Sequence, residues 1–129
     1  MRRIWFAFCV SVVAAGVPVW AHHSFAAEYF ESQTVTVEGE VLQFDYRNPH
    51  AWVHLTAKDE NGELQKFSAE WSNPNRLKQQ GLTAESIKPG DQVVITGSPG
   101  RNPADRRLHL KSIVRAADGW KWPLARASR

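Results

Sequence analysis

Apolar and polar residues alternate along most of the chain, and the alternation predicts strands. From Thr34 to Tyr46 two phases follow one another: Val35, Val37, Gly39 and Val41, then Leu42, Phe44 and Tyr46. The switch between Val41 and Leu42 predicts a bulged, sharply coiled strand that Gly39 helps to bend. Asn48-Pro49 breaks the run, and Ala51, Val53, Leu55 and Ala57 form a second alternating set. Asp59 to Glu63 then reads as a hairpin turn. A two-residue Asn61-Gly62 turn would set Leu55 opposite Ser68. A three-residue loop with Gly62 in the left-handed region sets Leu55 opposite Phe67 and Val53 opposite Ala69, so the apolar faces stay together and this register is preferred.

Further along, Asn73-Pro74 caps and opens a short helix over Asn75–Gln80, closed by Gly81. Lys88-Pro89-Gly90-Asp91 is a tight turn before a strand from Gln92 to Gly97. A loop rich in Gly, Pro and Arg follows. Leu108, Leu110 and Ser112 mark a last strand running to about Arg115. Three strands, a short helix and two more strands predict an all-β fold, a five-stranded OB-like barrel with one short helix between strands 3 and 4. A small open β-sandwich is the runner-up, and the helix placement favours the barrel.

The first residues break this pattern. Arg2-Arg3 precedes an apolar run from Ile4 to Val13, Gly16 and Pro18 loosen it, and Val19-Trp20-Ala21 suits an export cleavage site. A membrane-spanning helix needs about 20 apolar residues, more than this run supplies. The expected division is therefore a signal peptide at 1–21, the OB-like domain at 22–117 and a C-terminal tail at 118–129. Cleavage makes the protein periplasmic or secreted, with no membrane span remaining. The single cysteine is Cys9, in the leader, so the mature domain would hold together without a disulfide. The leader also carries two of the 16 Lys+Arg and none of the 13 Asp+Glu, which reduces the net charge from +3 to +1. A nucleic-acid partner is therefore not expected, and Arg101, Arg106, Arg107, Lys111 and Arg115 read as solvated loop and edge charges. No Ser-His-Asp order, phosphate loop or spaced carboxylate pair stands out, so an enzyme is not expected.

Cleavage after Ala21 would leave His22 as the first residue. Its free amine and imidazole would chelate a metal such as copper, and a third nitrogen from His23 or His50 would suit Cu(II). If Ala21 stayed on, His22 and His23 would occupy positions two and three and offer a different chelation mode. Two histidines left solvated beside a cleavage site are the bland alternative. His50 and His54 should not share one ion. Four residues of strand span roughly 13 Å, whereas each side chain reaches a metal about 6 Å from its own Cα, given metal–nitrogen bonds of about 2 Å. The preferred register puts Trp52 opposite Glu70 and His54 opposite Ser68. Trp52, His54 and Glu70 thus form a candidate outer-face surface for an unknown protein or small ligand. Alternatively, the segment carrying Phe25, Tyr29 and Phe30 folds over Trp52 and buries it.

His22-His23-Ser24-Phe25-Ala26-Ala27-Glu28-Tyr29, Asn48-Pro49-His50-Ala51-Trp52, Glu70 with Pro74-Asn75, and Lys88-Pro89-Gly90-Asp91 resemble a bacterial family of small exported proteins of unknown function. The resemblance runs from His22 to about Ala117. It implies a single exported domain and brings no activity, substrate or catalytic residue with it. His22, His23, His50, Trp52 and Glu70 fall within its motifs. His54 stands where similar sequences carry a non-histidine aromatic.

Overall fold

The computed structural model describes residues 24–124. A short helix α1 (Phe25–Glu28) leads into β1 (Val35–Asp45), β2 (Trp52–Lys58) and β3 (Leu64–Glu70). Helix α2 (Pro74–Gln79) follows, then β4 (Gln92–Pro99), β5 (Arg107–Arg115) and a two-residue β6 (Lys121–Trp122). The strands lie in the order β3-β2-β1-β4-β5-β6, and a further pairing of β3 with β5 closes the sheet. That closing pair is parallel, with Ser68 beside Arg107, Ala69 beside Leu108 and Glu70 beside His109. A closed five-stranded barrel with a short helix between β3 and β4 is the OB-type architecture expected from the strand pattern.

Local chemistry explains the elements. Gly62 takes φ 77°, and Asp59 N–H donates to Glu63 O at 2.8 Å. The hairpin therefore keeps Leu55 opposite Phe67 and Val53 opposite Ala69, as the apolar pattern required. In β1 the pairing with β2 slips between Val41 and Gln43. Leu42 is the bulged residue itself and is 41 % exposed, so the second inward phase begins at Phe44 rather than Leu42. Gly39 sits where β1 coils against β2, and a Cβ there would fall 1.8 Å from Thr56 O. Asn73 accepts the Arg76 N–H at 2.9 Å and caps α2, with Pro74 in its first turn.

Val41, Val53, Leu55, Val93, Ile95, Leu108 and Ile113 are buried inside the barrel. Trp71, Leu77, Leu82 and Ile87, from the β3–β4 connection, join the same core. The tail expected after Ala117 contributes to the packing. β6 pairs with β5, and Trp122 meets Trp71 edge-on at 4.9 Å while donating to Gln80 Oε1 at 2.6 Å. Among the described residues no helix is long and apolar enough to cross a membrane.

Candidate functional site

Strand registers set the outer face. Asp45 pairs with Trp52, Trp52 with Glu70 and Glu70 with His109. The neighbouring row runs Gln43, His54, Ser68, Arg107. Cross-strand partners share a face, and the residues between them (Val53, Ala69 and Leu108) are buried in the core. Two rows of polar and aromatic side chains therefore lie side by side across β1, β2, β3 and β5.

The N-terminal arm covers one end of these rows. Ser24 caps α1 by accepting the Ala26 N–H. The short helix directs Phe25 onto His109, with ring centroids 3.7 Å apart and planes within 2°, and onto His50 at 5.2 Å. Tyr29 is 1 % exposed and donates its hydroxyl proton to Glu70 Oε2 at 2.5 Å. The other oxygen of Glu70 lies 2.7 Å from His50 Nδ1. Glu31 makes the matching contact to His109 Nδ1 at 2.9 Å and reaches towards Lys111. Two imidazoles are thus each held through Nδ1 by a carboxylate. A carboxylate only accepts, so each Nδ1 carries the proton, and Nε2 of each has no partner among the described residues.

The other end is arranged differently. His54 lies 2.8 Å from Ser68 Oγ through Nδ1 and 3.0 Å from Asp45 Oδ2 through Nε2, so both ring nitrogens are engaged. Asp45 also accepts from the Gln43 side chain. The Arg107 guanidinium lies over Trp52, 4.9 Å from its ring centroid. Since β3 separates their strands, the Arg107 side chain crosses the Ser68–Glu70 segment to get there.

The electrostatics follow from these contacts. Burial and the Glu70 carboxylate push the Tyr29 hydroxyl above its ordinary value. Burial opposes ionisation of Glu31, but the His109 hydrogen bond and charge, with Lys111, outweigh it and hold that carboxyl below its ordinary value. Asp45 is likewise held low: the hydrogen bonds from Gln43 and His54 and the charges of His54 and Arg47 overcome its burial.

Several sequence expectations change here. Trp52 is half-buried, but under Arg107 rather than under the arm, which covers His50, His109 and Glu70 instead. Glu70 is 14 % exposed and already committed to Tyr29 and His50, so it does not stand free beside Trp52 as a ligand group. The basic stretch is not simply solvated. Arg101 bonds Ala26 O and covers Phe30, and Arg115 is held by Asp91, Asp118 and Ser86 O. His50 and His54 belong to separate clusters, as the strand-distance arithmetic required. His22 and His23 lie outside the described residues, and among the described residues no group of three or more His, Cys, Asp or Glu is placed to hold a metal. Glu31, Asp45, Arg107 and His109 were not singled out for this face, and Tyr29 was expected only as aromatic cover over Trp52. The parity of His109 and Arg107 against Leu108 marked them as outward, but only barrel closure sets them beside Glu70 and Ser68.

A model of a family of unknown function (DUF6152) matches residues 10–109. Among solved structures, the chain is similar to the mitochondrial single-stranded DNA binding protein Rim1 of S. cerevisiae. Identity is 13 %, coverage is 65 % of this chain and 93 % of that one, and the TM-score is 0.48. It is also similar to a small single-stranded DNA-binding protein from Streptomyces coelicolor, at 16 % identity, 66 % and 92 % coverage and a TM-score of 0.44. No curated protein matches the chain.

Proposed function

The chain belongs to this DUF6152 family of unknown function, and from that premise we propose that it is an exported, periplasmic, non-catalytic domain that binds a metal ion, copper by preference. In this reading residues 1–21 are removed as a signal peptide. The new terminus, His22, chelates the ion through its amine and imidazole, and His50 Nε2 supplies the third nitrogen. His23 takes that place if the register of the terminus shifts.

One observation carries the reading: His50 is fixed through Nδ1 by Glu70, itself held by Tyr29, and keeps Nε2 open beneath Phe25. Carboxylate support of one imidazole nitrogen is the usual setting of a histidine that ligates through the other. Phe25 lies three residues after His22, a length of chain that spans at most about 10 Å, so a docked arm keeps the terminus close to His50. Three nitrogens of this kind suit Cu(II).

The test is a Cu(II) titration of the naturally processed protein, its N-terminus verified by mass, against the same protein with the His22 amine acetylated. Acetylation removes the amine as a donor without creating another terminal chelate and should weaken binding sharply. Equal affinity of the two forms overturns the chelating terminus. A second reading, a metal-free module for a protein or small ligand, rests on Trp52 and His54 at the half-open end, with Arg107 stacked on Trp52. It gains ground if the processed protein leaves copper unbound.

A further inference from the structure

A second concave feature lies at one end of the barrel and borders the outer face at Arg107. A cavity of about 670 Å³ lies where β1 begins, between the β2–β3 hairpin loop and the β4–β5 connection. Its walls include Phe30, Val35, Phe67 and Leu108. Val35 and Phe67 are half-buried and pack against the core, so the cavity has an apolar floor resting on the barrel interior. Its wall is braced: Phe30 N–H donates to Pro99 O at 2.9 Å, and Arg101 covers the Phe30 ring at 4.6 Å. Small-molecule sites typically have this character, apolar walls with a few placed polar groups in a volume of about 300–1,000 Å³.

Three cations line this opening: Lys58 at the end of β2, Arg106 just before β5, and Arg107, whose guanidinium is already stacked on Trp52. None of the three is ion-paired with a carboxylate among the described residues, although the turn's hydrogen bonds, helped by the Arg106 charge, hold the neighbouring Asp59 carboxyl below its ordinary value. Asp59 and Glu60 also line the cavity. The Asp59 carboxylate is committed to its own turn, accepting the Asn61 and Glu63 N–H groups at 2.9 and 3.0 Å, while Glu60 is exposed.

Arg106 closes a 3-10 turn, Pro103–Asp105, in a backbone conformation that makes it a convenient residue to test. It sits at φ 44°, ψ 48°, the only positive-φ residue other than glycine among the described residues. Glycine takes this conformation freely, whereas a long side chain is strained in it. Here a cation occupies, at the rim of an apolar cavity, a position that glycine would fill with less strain.

We propose that the barrel mouth binds an amphiphilic monocarboxylate, its apolar body against Phe30, Val35, Phe67 and Leu108 and its acid group between Arg106 and Lys58. This site meets the outer face only at Arg107 and does not depend on a metal.

Calorimetric titration of the processed protein with decanoate, and with decanol as the neutral counterpart of equal length, tests it. Decanoate should bind saturably and about fivefold more tightly than decanol, the scale of a rim ion pair. The substitution Arg106→Gly relieves the left-handed strain, so that variant should fold and melt at least as high as the parent, yet lose the preference for the acid. Arg106→Lys should keep the preference. Equal binding of acid and alcohol overturns the proposal, as does absence of saturable decanoate binding or an Arg106→Gly variant that still prefers the acid.

Discussion

Replacing Tyr29 by phenylalanine removes one oxygen and tests how the arm is held. Its hydroxyl is buried and donates to Glu70 Oε2 at 2.5 Å, while Glu70 Oε1 faces His50 Nδ1 at 2.7 Å. Deleting a hydrogen bond to a charged group costs about 1.5–3 kcal/mol. The Glu70 side chain is 14 % exposed, which lets water replace part of the lost donor, so the expectation is about 2 kcal/mol, in the lower half of that range. In a domain of this size that is a fall in Tm of roughly 10 °C. The pH dependence adds a signature. Burial, and then Glu70, raise the hydroxyl pKa in the folded state, so the folded protein holds this proton more tightly than the unfolded chain. The stabilisation is complete below pH about 10, the unfolded value, and is lost as pH rises beyond it. Urea midpoints measured from pH 7 to 11 should therefore fall for the parent above pH 10 and fall less for the phenylalanine variant. Hydrogen exchange at Phe25–Tyr29 should accelerate in the variant. Equal midpoints at pH 7 and equal slopes above pH 10 would refute the account of the arm.

Glu70→Gln keeps the shape of the His50 partner but removes its charge. Under the copper reading it should weaken Cu(II) binding by about tenfold to a hundredfold, measured by competition titration. Gly39→Ala places a methyl group against Thr56 O and should cost more than about 3 kcal/mol by urea unfolding, or prevent folding. Glu31 and Asp45 are held below their ordinary values of 4.5 and 3.8, so their stabilisation is present above those values and lost as pH falls through the lower folded ones. A urea midpoint series from pH 6 to 2 should show that loss, and Glu31→Gln should flatten it.

The barrel was legible because each strand carries its own alternation, and because only one loop length at Asn61-Gly62 keeps the apolar faces of β2 and β3 together. The rows Trp52–Glu70 and His54–Ser68 followed from that register alone. The β1 bulge was legible too, although the residue it turns outward, Leu42, was assigned to the inner face. A change of phase gives the place of a bulge but not which residue is left over. The closing half of the site was not legible. Glu31 and His109 lie 78 positions apart, and nothing local in either segment specifies the other. The arm escaped for a related reason. Phe25, Tyr29 and Phe30 read as aromatic cover, but only the placement of His109 by β5 decides that Phe25 stacks there rather than on Trp52. Arg107 then takes the Trp52 ring, which local pattern assigned to no partner.

The parallel β3–β5 pairing sets an order of assembly. Tyr29 docks on Glu70 and Phe25 on His109, and those two residues become neighbours only when β5 returns alongside β3. Ring closure between distant segments is the slow, entropically costly part of folding a barrel. A chain still searching for that closure offers the arm only its contacts at Pro99, Gly100 and Arg101, because Glu70 and His109 have not yet been brought together. The full docking of the arm should therefore follow closure, and its protection in a pulse-labelling experiment should appear after that of β1 and β2.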